Sequence, residues 1–68
     1  MPQSDNNDRL EQATLYVVRA RELVARQREI IADQKAKGLD TNAAELRLQY
    51  LEQLLTIFEN ELAKIQKP

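Results

Sequence analysis

The sequence predicts an all-α fold: an antiparallel two-helix hairpin, coiled-coil-like, that dimerises into a four-helix bundle. Three observations carry this. Apolar residues at Ala44, Leu48, Leu51, Leu55, Phe58, Leu62 and Ile65 fall in alternating steps of four and three. That spacing keeps one seam of a helix against a partner helix, because 3.5 residues per repeat matches a slightly underwound helix. A second periodic stretch precedes it, with Leu10, Val17, Val24 and Ile31 seven apart. Between the two lies the only glycine, Gly38.

Residues 1–7 (MPQSDNN) have little to bury and are expected as a disordered tail. Asp5, Asn6, Asn7 and Asp8 are all cap formers, so the first helix is expected over about 8–37 within a single 8–67 hairpin domain. In heptad notation its a positions are Leu10, Val17, Val24 and Ile31. Ala13, Ala20, Gln27 and Gln34 take d, and Tyr16, Leu23 and Ile30 take g.

A turn is expected over 38–41. Glycine there suits the left-handed conformation that closes a helix, and Lys35 and Lys37 suit the negative end of the helix dipole. Asp40 or Thr41 caps the second helix, expected over about 42–66, and Glu45 is available for a capping box on Asn42. So short a connection forces the helices antiparallel.

The charges give a register. Arg21, Arg28 and Lys35 take e on the first helix, and Glu45, Glu52 and Glu59 take e on the second. The pairs Lys35–Glu45, Arg28–Glu52 and Arg21–Glu59 have residue numbers that each add to 80, as a fold-back about one point demands. Taken as level, they layer Ile31 on Leu51, Gln27 on Leu55, Val24 on Phe58, Ala20 on Leu62 and Val17 on Ile65. A register slipped by one heptad layers Ala20 on Leu55 and leaves Lys35 unpaired, so the first is preferred. The expected seam is Val17, Ala20, Val24, Ile31, Leu48, Leu51, Leu55, Phe58, Leu62 and Ile65, with Leu55 and Phe58 contributing most. Gln27 and Gln34 are read as register-fixing polar residues in the seam rather than as the lining of a groove for another helix.

The opposite edge is apolar. Tyr16, Leu23, Ile30, Tyr50, Leu54 and Ile57 form a flank that monomers rarely expose, and it is read as a dimer or partner interface. Capture of a partner helix on the same flank competes with self-association.

Composition excludes much. With no Cys and no His, disulfides and zinc sites are out, and no Glu-x-x-His pair exists to hold di-iron. No catalytic residue, cofactor or metal is expected. Glu22 and Glu29 lie on an outer face, Glu59 and Glu61 on different faces, so no carboxylates converge for acid–base work. A net charge of −1 gives no global drive toward nucleic acid or anionic membrane. The first helix is basic, and Arg9, Arg19 and Arg26 could follow an RNA or DNA backbone. The interspersed Glu22, Glu29 and Asp33 make that regulator role the alternative to a non-enzymatic interaction or scaffold role. Met1–Asp8 is polar and acidic, without the basic and apolar regions of a leader, and no apolar run is long enough for a membrane span. A cytoplasmic protein is the expectation.

The run Ala25-Arg26-Gln27-Arg28-Glu29-Ile30-Ile31, followed by Lys37-Gly38-Leu39-Asp40-Thr41, Ala44-Glu45 and Leu51-Glu52, resembles a group of short, uncharacterised bacterial helical-hairpin proteins. The likeness covers about residues 20–60 and implies a hairpin with no assigned activity. Members often carry a His near the place of Phe58, and its absence argues against chemistry there. In architecture the chain is also similar to the repressor-of-primer hairpin dimer, a likeness of form from which function does not follow.

Overall fold

The computed structural model describes residues 2–66, with side chains from residue 7 onward. Helix α1 spans Pro2–Ala36 and helix α2 Asn42–Gln66, packed antiparallel along their length. The result is a rod, 55 × 14 × 13 Å, with a radius of gyration of 16.0 Å. A compact domain of this length would measure about 11 Å.

α1 begins six residues earlier than the caps suggested, so Asp5 to Asp8 lie inside it. Proline is tolerated at the first helical position, where its missing N–H would find no partner anyway, and nothing between residues 3 and 8 breaks a helix. Met1, also placed in the tail, lies outside the described residues.

The turn is built by backbone hydrogen bonds. Gly38 adopts φ +73°, Leu39 N–H donates to the Gln34 carbonyl at 2.9 Å, and Gly38 N–H donates to that of Lys35 at 3.0 Å. These two bonds form a Schellman closure, which satisfies carbonyls that the end of α1 would otherwise leave unpaired. A Cβ at Gly38 would meet no atom within 4 Å, so the penalty for a side chain there is conformational, not steric. Gly38→Ala should cost about 1 kcal/mol from the left-handed backbone alone, measurable as a lowered melting midpoint with an unchanged helical signal.

At the start of α2, the Thr41 carbonyl accepts the first helical bond, from Glu45 N–H at 2.8 Å, which makes Thr41 the cap. The Asp40 carboxylate accepts Asn42 N–H at 2.9 Å. The expected capping box gives way to this arrangement: Glu45 turns to Lys35, 3.7 Å away.

The core lies in the seam, and α1 supplies most of what is buried: Ala13, Val17, Ala20, Val24, Gln27 and Ile31. Along α2 only Leu51 is buried, whereas Leu48, Leu55, Phe58, Leu62 and Ile65 are half-covered. The asymmetry follows from size. Alanines and valines on α1 disappear beneath the larger side chains of α2, whose edges overhang the seam.

Two contacts fix the layers of the seam, and these are the layers of the slipped alternative, although Lys35 is paired as the preferred register has it. Gln27 Nε2 donates to the Ala44 carbonyl at 2.9 Å, and the rings of Tyr16 and Phe58 lie 5.5 Å apart. In the level-charge register, Ala44 would stand eleven residues along α1 from Gln27, roughly 16 Å at 1.5 Å per residue. No glutamine reaches that far. Setting Val17 level with Phe58, Val24 with Leu51, Gln27 with Leu48 and Ile31 with Ala44 accounts for both contacts. It also gives Ala13 a partner in Leu62 and so explains its burial.

Candidate functional site: two unlike flanks of the hairpin

The e edge is sealed by charge. Arg21 Nη2 lies 3.1 Å from Glu59 Oε2, Arg28 Nη2 2.9 Å from Glu52 Oε2, and Lys35 Nζ 3.7 Å from Glu45 Oε1. These are the three pairs the spacing pointed to, yet they sit on a core one heptad away from the one inferred from them. The reason is side-chain direction. On each helix the Cα–Cβ bond tilts toward that helix's own N-terminus. In an antiparallel pair the two tilts converge, so long side chains meet when their Cα atoms are about five residues out of level. Each pair is open to water and worth roughly 0.2–1 kcal/mol. Their effect is on alignment more than on stability.

The g edge carries no such lacing. Tyr16, Leu23, Ile30, Tyr50 and Ile57 are each between 38% and 61% exposed, and Leu54 is half-buried among them. Tyr16 also leans on Phe58 at a 31° tilt, so it shields the edge of the seam while presenting its other face to solvent. Toward the turn, Ile30, Leu39, Arg26 and Gln34 line a shallow hollow that continues the flank. The contribution of Leu39 was not anticipated; it follows from its place just after Gly38, a position that commonly folds an apolar side chain back onto the last turn of a helix.

The two seam glutamines differ. Gln27 is buried and spends its amide on the Ala44 carbonyl, which ties the middle of α1 to the first turn of α2. Gln34 is half-buried, and its Oε1 is enclosed without a hydrogen-bond donor. Gln27 thus acts on register directly, through a bond that no apolar residue could make.

Of the basic residues on α1, Arg21, Arg28 and Lys35 are engaged by α2, and Lys37, in the turn just past α1, lies 3.0 Å from Asp33. Arg19 and Arg26 are left exposed near the outer border of the apolar flank. Among the described residues no three His, Cys, Asp or Glu side chains gather as metal ligands. No described helix is long and apolar enough to cross a membrane. Comparison with known proteins adds nothing to the geometry: no family, curated protein or solved structure matches the chain.

Proposed function

We propose that the chain works in the cytoplasm as a homodimeric helical hairpin, a non-enzymatic interaction or scaffold unit whose two copies complete a four-helix bundle. The observation that supports this is the contrast between the edges: one laced by three ion pairs, the other a row of large apolar side chains with no cover. The surface area points the same way. The chain exposes 5605 Å². A compact protein of 7.9 kDa would expose about 4,400 Å². The excess, roughly 1,200 Å², exceeds the ~800 Å² per partner of an ordinary stable interface.

Size supplies a further reason. A single core in a chain this short rarely yields more than ~3–5 kcal/mol without disulfides or metal, and association is the remaining source of stability. A nucleic-acid role draws less support, since α2 already takes three of the basic side chains of α1.

Light scattering should give twice the 7.9 kDa chain mass. Because folding is then linked to association, the melting temperature should rise with protein concentration, by on the order of a few degrees per tenfold. A mass of one chain with a concentration-independent melt would turn the flank over to a partner helix from another protein.

A further inference from the structure

We infer that the two copies associate about a two-fold axis running along the helices, so that α1 of each copy lies beside α2 of the other and both Gly38 turns sit at the same end. This rests on the homodimer reading above and concerns the arrangement within it.

The charges bordering the apolar flank carry the inference. α1 presents Arg19, Arg26 and Asp33 there, and α2 presents Arg47 and Glu61. Among the described residues Arg19 and Arg47 make no ion pair. Asp33 and Glu61 have only near neighbours in the sequence as partners, Lys37 at 3.0 Å and Lys64 at 3.6 Å. Within the chain, every ion pair joining α1 to α2 has residue numbers that add to 80. An axis along the helices leaves each residue at the same height in both copies. The partner's α2 therefore stands to α1 as the chain's own α2 does, and the same rule applies across the interface.

Applied there, the rule sets Arg19 against the partner's Glu61 and Asp33 against the partner's Arg47, and symmetry makes each pair twice. Arg26 meets the partner's Leu54, where its aliphatic stem can lie along apolar surface. By the same rule, Leu23 comes beside the partner's Ile57 and Ile30 beside the partner's Tyr50. Both borders and centre are complementary.

An axis perpendicular to the helices would instead place α1 beside the partner's α1. Arg19 could then reach the partner's Asp33, and Arg47 the partner's Glu61. However, Arg26 lies midway between positions 19 and 33, so the same alignment drives Arg26 head-on against its own copy at the axis. Like charges opposed in an interface are strongly disfavoured. The position of Arg26 therefore selects the longitudinal axis.

The sequence has no cysteine, so Lys37→Cys places a single spin label beside each turn. Pulsed dipolar spectroscopy should give a distance below about 25 Å, because bundle helices lie ~8–10 Å apart. A perpendicular axis at Arg26 would separate the two labelled positions by about 33 Å along the helices, at 1.5 Å per residue over the eleven residues on either side. Charge reversal gives an independent reading. Arg19→Glu should weaken dimerisation at least tenfold, and adding Glu61→Arg should restore it. Adding Asp33→Arg instead should weaken it further. A long label distance, or rescue by Asp33→Arg, would overturn the longitudinal axis and leave the dimer standing. A single-chain mass with no dipolar signal would overturn the dimer itself.

Discussion

Leu51→Ala is expected to unfold most of the protein at micromolar concentration. Leu51 is the one buried residue of α2, at 7% exposure, and the register sets it level with Val24, at 4%. Truncating a buried leucine removes transfer energy and leaves a cavity, a loss of ~2–5 kcal/mol in well-packed cores. That is comparable with the whole ~3–5 kcal/mol a core of this size supplies. Phe58 and Leu55, which the heptad pattern alone would rank first, are half-exposed, and Phe58 has Tyr16 lying against it. Their truncation should cost less than that of Leu51. Glu29→Ala, on the outer face, should stay within ~0.5 kcal/mol. Thermal melts by circular dichroism at matched concentration decide the order. A Leu51→Ala midpoint close to that of Glu29→Ala would show that the seam is not where the energy lies.

Most of this fold was legible because its parts are local and periodic. Heptad spacing names the seam whatever the register, since a slip of seven residues exchanges partners without changing which side of the helix faces inward. Gly38 marks the stop of α1 for a physical reason, its positive φ. The charge spacing names the ion pairs of the structure but not the layers of its seam. Treating Arg28 and Glu52 as level ignores that both side chains lean toward their own N-termini, and the neglected lean amounts to most of a heptad. The sizes of the seam residues point to the observed layers. In the observed register Ile31, the largest buried residue of the α1 seam, lies level with Ala44, the smallest on the α2 stripe, and Ala13 and Ala20 lie under Leu62 and Leu55. Size complementarity spans the whole seam only in that alignment, whereas the level-charge register leaves Ala13 facing nothing. The early start of α1 was hidden for a different reason. Several capping residues in succession from Asp5 to Asp8 say where a helix could begin, not where it must.

The apolar flank shows what local pattern leaves open: the sequence names its residues, and the structure shows that the hairpin does not cover them. Replacing Ile30 and Leu54 together with Glu is expected to convert a folded dimer into largely unfolded monomer. Ile30 is 38% exposed and Leu54 half-buried, so in the hairpin alone both substitutions leave a carboxylate able to reach water, at a modest penalty. In a bundle the same positions lie between two hairpins. Four carboxylates would then be drawn from water into an apolar layer, two from each chain; those at position 54 would have the partner's Arg26 within reach, but those at position 30 would face no cation, at several kcal/mol per unpaired ion. The two outcomes are far apart. If the flank faces solvent, the double variant keeps the wild-type melt and mass. If it holds the dimer, scattering mass falls to 7.9 kDa, the helical signal collapses, and raising the concentration no longer restores it. Ile30→Gln with Leu54→Gln serves as the control for bulk polarity. Glutamines remove the apolar contact without burying charge, so this variant should still associate at high concentration, with a melt between those of the wild type and the charged variant. Loss of helix in the charged variant with the wild-type mass retained would place the injury inside the seam rather than between chains, and would count against the flank as the dimer interface.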